Sequence, residues 1–186
     1  MQHVLIIDGA YLQIGLKDLL FPIDSVGHFA AVLDLFENIA GHKFDQVRFV
    51  TSEDNDTWTK NCKFYEVMNR ERAHKRQILL DIRQYKQKSA KCRCGCKEEI
   101  KWKVQAEVDV AIAVYLIDYA LCSYIESITL FAGDRDFIDS IQYAKSRLGS
   151  NVTILGFENN AGQPLLKSGV FVNVTHDILK LQKHLQ

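Results

Sequence analysis

Two short apolar runs in this chain end on carboxylates. Leu5-Ile6-Ile7 leads straight into Asp8-Gly9-Ala10, and Ile128-Thr129-Leu130-Phe131 leads into Ala132-Gly133-Asp134-Arg135-Asp136-Phe137. Each run has the length and composition of a buried strand, and each stops at a Gly/Asp turn before a helical pattern. In an open parallel sheet, ligands bind in the crevice beyond the carboxyl ends of the strands, so Asp8, Asp134 and Asp136 are expected to meet there. Alternate residues leaving a strand point the same way, which turns Asp134 and Asp136 toward one pocket. A plainer alternative makes Asp136 the N-cap of the next helix and Asp134 a turn residue. Asp109 opens the apolar segment Val108 to Cys122. A capping role explains it without function, and the neighbouring Glu107 could share or replace it. Carboxylates gathered in this way repel one another unless a hard divalent cation, Mg2+ or Mn2+, neutralises them. The chemistry indicated is metal-assisted attack on phosphate. The six histidines are scattered along the chain, and there is no Gly-x-Ser-x-Gly, phosphate-binding loop or Gly-x-Gly-x-x-Gly.

A second group of residues suits a softer cation. Cys92-Arg93-Cys94-Gly95-Cys96 places three thiols within five residues around a glycine that lets the loop turn. Zinc takes four ligands, so Cys62, His74 or a second chain would complete the set, the last implying a homodimer. The alternative is three reduced surface thiols. An odd total of five cysteines fits a reducing compartment better than a disulfide scaffold.

The zero net charge conceals an asymmetry. Residues 69–103 carry 12 Lys and Arg against 4 acids, a net +8, which leaves the rest of the chain with 11 bases and 19 acids, a net −8. An acidic body with a basic arm suits a polyanionic substrate cut at a metal site. Arg83, Lys86, Lys88, Lys91, Arg93, Lys101 and Lys103 are the candidate nucleic-acid contacts. Tyr85 and Trp102 lie among them and could stack on unpaired bases, which favours single strands. For Trp102, half-buried strand packing is the simpler expectation.

The elements that must position these groups follow from periodicity. Strands are expected at His3 to Ile7, Gln46 to Thr51, Ser127 to Ala132, Asn151 to Phe157 and Val170 to Val174. Helices are expected at about Leu12 to Leu20, Phe29 to Ala40 with Gly41 as C-cap, Thr57 to Lys75, Val108 to Cys122, Phe137 to Leu148, Gln163 to Ser168 and Asp177 to Leu185, with a turn at Pro22 to Gly27. Ile78, Leu80 and Ile82, followed by Gln84, suggest a strand with a half-polar face, with a continuation of the preceding helix as the alternative. Ile100, Trp102 and Val104 alternate with lysines as a return strand with a basic outer face, so the arm spans about 77–104. Cys122 is expected in the core. Strands alternating with helices give an α/β fold with a mainly parallel central sheet. At 186 residues with two prolines and no low-complexity tract, a single domain over 1–186 is expected. Met1 to Ile7 lacks a basic leader region and is followed at once by Asp8, and the longest apolar stretch carries Asp109 and Asp118. A cytoplasmic protein with no membrane partner is the expectation.

Three blocks in this order resemble the NYN family of PIN-like ribonucleases, including its LabA-like branch. They are Ile6-Ile7-Asp8-Gly9-Ala10-Tyr11-Leu12, Val108-Asp109-Val110-Ala111-Ile112-Ala113 and Phe131-Ala132-Gly133-Asp134-Arg135-Asp136-Phe137, with Val152-Thr153-Ile154-Leu155-Gly156-Phe157 matching the next strand. The resemblance implies a PIN-like three-layer α/β/α sandwich with a basic cysteine-bearing hairpin insertion. It also implies hydrolysis of RNA phosphodiesters with Mg2+ or Mn2+, with Asp8, Asp109, Asp134 and Asp136 at the family's acidic positions. Several LabA-like proteins are similar in carrying a cysteine knuckle just before the Val-Asp pair. This chain departs from the pattern at four helper positions. The family usually has Asn at Tyr11, Ser at Ala132, a small residue at Arg135 and often Gly at Glu107. A non-catalytic RNA-binding or scaffold module is therefore the rival reading. A phosphatase or Toprim-like enzyme is disfavoured, because the first would want an Asp at Ala10 and the second a Glu at Asp8.

Overall fold

The computed structural model describes residues 1–21, 26–53, 77–94, 96, 98–104 and 107–185. Its centre is a six-stranded sheet with the order β3-β2-β1-β6-β7-β8, parallel throughout. The strands are β1 (Gln2–Asp8), β2 (Gln46–Glu53), β3 (Gln77–Gln84), β6 (Ile125–Phe131), β7 (Val152–Gly156) and β8 (Phe171–Asn173). Strand β1 is apolar on both faces because both are covered. Leu5 and Ile7 point into one hydrophobic cluster, and Val4 and Ile6 into the other. Burying one such side chain stabilises by roughly 1.5–3 kcal/mol. A one-residue slip would exchange the faces, so the register is firmly held.

The first cluster is capped by α1 (Gly9–Asp18), α2 (Val26–Ala40) and α6 (Thr175–Leu185). The second is capped by α3 (Val108–Leu121), α4 (Ile138–Leu148) and the short α5 (Gln163–Leu166). This is the three-layer α/β/α arrangement expected. Gly41 closes α2 in the left-handed conformation (φ 78°), where glycine is unstrained. The order of strands reverses between β1 and β6, with one half of the sheet growing outward through β2 and β3 and the other through β7 and β8. Such a switch point opens a crevice at the carboxyl ends of its two strands.

Strands β4 (Lys86–Lys91) and β5 (Glu99–Val104) form a separate antiparallel hairpin. The alternation of Ile100 and Trp102 with lysines suggested packing on one side, but both residues stand exposed, at 55% and 42%. Trp102 is thus a little more than half covered. Among the described residues, no side chain of the hairpin belongs to either hydrophobic cluster. Cys122 is only partly buried, because it is the C-cap residue where α3 leaves the second cluster. The expected helix from Thr57 to Lys75, with Cys62 and His74, and the turn at 22–25 lie outside the described residues. No helix among the described residues is long and apolar enough to cross a membrane.

Candidate active site

Asp8 is the last residue of β1 and the N-cap of α1, where its Oδ1 accepts from the Tyr11 N–H at 3.1 Å. The turn needs Gly9: a Cβ there would come within 2.6 Å of the Phe49 ring and 2.8 Å of Thr51. Asp8 is 7% exposed, and burial lifts its pKa from 3.8 to about 6. The negative charges of Asp109 and Asp134 add to that rise, while N–H groups of Tyr11 and Ala10 oppose it. Asp109 is likewise raised, first by burial and then by the charges of Asp134 and Asp136. The four carboxylates suggested by sequence thus share one electrostatic neighbourhood at the β1/β6 switch point.

Their local roles differ from the plainer alternatives. Asp134, not Asp136, is the cap: its Oδ1 accepts from the Asp136 N–H at 3.0 Å, starting a 3-10 turn over Arg135–Phe137 that leads into α4. The strand ends at Phe131, so a short polar side chain three residues on can reach back to the turn; Asp134 and Asp136 both stand exposed. Asp109 does not cap α3 either. The N-cap position is Glu107, in a left-handed conformation (φ 68°) with no side-chain cap, and Asp109 lies in the first turn. That backbone accounts for the glycine usual at this position, since L side chains are strained there.

Tyr11 is turned away from the acids. Its hydroxyl donates to the Phe157 carbonyl at 3.0 Å and accepts from the Phe157 N–H at 2.7 Å, fastening α1 to the end of β7. Burial pushes its pKa up to about 12. Gly133 makes room for it, because a Cβ there would meet the Tyr11 ring at 2.2 Å. The aromatic at the family's Asn position is therefore a clamp, and Asp8 receives only its backbone N–H.

The donor set is all carboxylate oxygen, which suits Mg2+ or Mn2+. Among the described residues, only Cys92, Cys94 and Cys96 place three or more potential ligand atoms within 4.8 Å of one another. The carboxylates are spread more widely, an arrangement fitting a cation that keeps several waters and uses one or two carboxylates. At the cysteine loop, Cys94 Sγ lies 2.7 Å from Cys92 Sγ and 3.0 Å from Cys96 Sγ. Zinc–sulfur bonds of ~2.3 Å in a tetrahedron require sulfurs about 3.8 Å apart, so the loop must open by about 1 Å to admit the ion. Hydrogen bonding with the Cys92 and Cys96 thiols lowers the Cys94 pKa to about 7, which favours the thiolate a metal needs.

The basic arm is partly neutralised. Arg83 holds Asp81 through Nε and Nη2, each at 2.8 Å; Lys86 pairs with Glu107, and Lys101 lies 3.6 Å from Glu99. Lys88, Lys91 and Arg93 stand exposed, and the Lys103 side chain lies outside the described residues. The Lys86–Glu107 pair ties the root of the arm to the start of α3, beside Asp109.

Two clusters escaped the sequence reading. Arg48 of β2 stacks 3.9 Å over the Tyr115 ring, and Tyr115 donates to Asp81, linking β2, β3 and α3. An arginine inside an apolar strand was the available signal. His3 and His42, distant in sequence, stack at 4.0 Å with Ser127 between their ring nitrogens, and no local pattern announces that.

The sequence model of a family described as NYN domain matches residues 4–179. Among solved structures, a protein of unknown function from Vibrio parahaemolyticus is similar at a TM-score of 0.58 and 16% identity, over 93% of each chain. That likeness concerns the fold alone. No curated protein compared with this sequence matches it.

Proposed function

This chain belongs to the NYN domain family, and on that premise we propose that it is a divalent-cation-dependent endoribonuclease acting on single-stranded RNA. The family is of nuclease type. One observation supports the specific reading above others: a buried carboxylate, Asp8, ends the central strand with its pKa raised to about 6 among further aspartates. A structural role would not require three more acids around it. Such a cluster is relieved by a cation.

Asp8 and Asp134 are assigned as the principal ligands of Mg2+ or Mn2+, directly or through water, with Asp109 and Asp136 completing the site. A cation held there would supply Lewis acidity and would lower the pKa of a water beside it. Asp109, with its affinity for protons raised by burial and like charge, would orient the attacking water and take up its proton. Lys88, Lys91 and Arg93 hold the strand's phosphates, and the Lys86–Glu107 pair fixes the arm beside the acids. The cysteine loop is assigned a structural zinc with its fourth ligand from Cys62, His74 or a second chain.

Purified protein should cut single-stranded RNA with Mn2+ or Mg2+, stop on chelation, and lose the activity in Asp134→Asn. Asn keeps the acceptor that caps the 3-10 turn, so the variant should stay folded. RNA that is bound but never cut, across a panel of metals and sequences, would favour the scaffold reading that Tyr11 and Arg135 suggest.

A further inference from the structure

Ser52 stands near the carboxyl end of β2, 5% exposed, and its Oγ has no hydrogen-bond partner among the described residues. Leaving a buried hydroxyl unpaired is unfavourable, so such a group calls for a partner. Thr129 Oγ1 is also unpartnered, but it lies inside the sheet between Leu5 and Thr153. An orphaned hydroxyl is therefore not by itself a site. What distinguishes Ser52 is where the strand register puts it.

Asp8 is paired with Val50, and Ser52 lies two residues further along β2, past the last residue of β1. Partners in a parallel ladder share a face, and so do residues two apart on one strand. Val4 and Ile6 of β1 and Val50 of β2 all face the second cluster, so Asp8 and Ser52 open on that side. Arg48 precedes Val50 by two residues and Asp81 is paired with it, and both reach Tyr115 of α3, which confirms the face. Asp8 lies within reach of the Asp109 charge in the first turn of α3. On the other flank Arg83, paired with Ser52 on β3, shares a cavity with Glu107 and Val110 from the start of the same helix. Ser52 thus lies between Asp8 and Arg83, at the helix end that carries Asp109. With strands ~4.8 Å apart and ~3.3 Å per residue, the Ser52 and Asp8 Cα atoms are separated by about 8 Å. Two hydrogen bonds through one water span roughly 5.6 Å, and the two side chains cover the rest. The Oγ atom is closed to bulk solvent, so the partner that suits it is the size of one water.

We propose that Ser52 is a positioning residue of the acidic site: its hydroxyl hydrogen-bonds a water held against Asp8 and fixes that water when the carboxylates carry their cation. The proposal rests on the cation reading above, and its test reads cation affinity, not cleavage. Mn2+ is titrated calorimetrically into the whole protein, and thermal melts are recorded in chelator. Wild type should bind Mn2+ at the aspartates, and Asp134→Asn should abolish that binding. Ser52→Ala should bind Mn2+ about tenfold more weakly, the usual scale for losing a group that orients a metal site from one layer out. It should nevertheless melt about 2–4 °C higher in chelator, because the unpaired hydroxyl is gone. Ser52→Thr, which keeps the hydroxyl, should retain Mn2+ affinity within about threefold. A hydroxyl that serves only packing would move the melt and leave Mn2+ affinity as it was. Ser52→Ala that binds Mn2+ as tightly as wild type, or that melts lower in chelator, overturns the assignment. So does a Thr variant that melts normally and binds as weakly as the Ala variant. The full pattern in a protein that never cuts RNA would overturn hydrolysis alone. Wild type that takes up no Mn2+ at the aspartates would overturn the cation reading, and the role of Ser52 with it.

Discussion

Replacing Asp8 by Asn should stabilise the cation-free protein at neutral and alkaline pH. The Asp8 carboxyl binds its proton more tightly when folded, with a pKa of about 6 against 3.8 ordinarily. Its stabilising contribution is therefore fully present below 3.8 and is lost as pH rises through about 6. The whole gap corresponds to about 3 kcal/mol, an upper bound for what the ionised group costs at pH 8. Asn removes the charge and can still accept from the Tyr11 N–H, but it remains a buried polar group, so about half of that should be realised. At roughly 2–4 °C per kcal/mol for a chain of this size, Tm should rise by about 3–6 °C at pH 8. Thermal melts in chelator from pH 5 to 8 should show the difference between variant and wild type growing with pH. His42, whose pKa burial lowers, titrates in both proteins and cancels in that difference. Adding Mn2+ should raise Tm of the wild type and not of the variant. A variant that melts lower than wild type at pH 8, with a pH-independent difference, would refute the account of Asp8.

Tyr11→Phe leaves the Phe157 N–H without its partner, while the carbonyl keeps the Asn160 N–H, and should cost about 1–3 kcal/mol by denaturant titration; an unchanged midpoint would deny the clamp. Lys88→Glu with Lys91→Glu should weaken RNA binding and flatten the salt dependence by about 0.7 in log–log slope for each phosphate that is no longer neutralised. A slope equal to wild type would place the RNA elsewhere. Metal analysis of protein purified without chelator should find about one zinc per chain or per dimer, released by Cys94→Ser with Cys96→Ser. Metal-free protein whose three loop thiols alkylate at once would end that assignment. Glu107→Gly should relieve the left-handed backbone and raise Tm despite the loss of the Lys86 pair; a lower Tm would show the pair to dominate.

The layers of the fold were legible because the core strands are short continuous apolar runs and alternate with segments of helical periodicity. Leu5 and Ile7 against Val4 and Ile6 already separate the two faces. The nearness of the aspartates was legible for a related reason: Asp8 ends, and Asp134 soon follows, strands that a parallel sheet places side by side. What the pattern does not carry is side-chain direction at turns. Asp134 and Asp136 differ by two positions, yet only Asp134 turns back onto the backbone. Nor does alternation tell how far a strand's apolar residues are covered, as the 55% exposed Ile100 of the hairpin demonstrates. The bridge from Arg48 through Tyr115 to Asp81 joins three elements far apart in sequence, so only the packed fold reveals it.

The central claim is that the aspartates at the β1/β6 switch point hold a cation. Crystals grown with Mn2+ and measured at the manganese absorption edge test it directly. The account predicts an anomalous peak within coordination distance of Asp8 or one water removed, bounded by Asp134 and Asp109, that disappears in Asp134→Asn. Saturating Mn2+ with no peak at these carboxylates, or with density only at the cysteine loop, would contradict it.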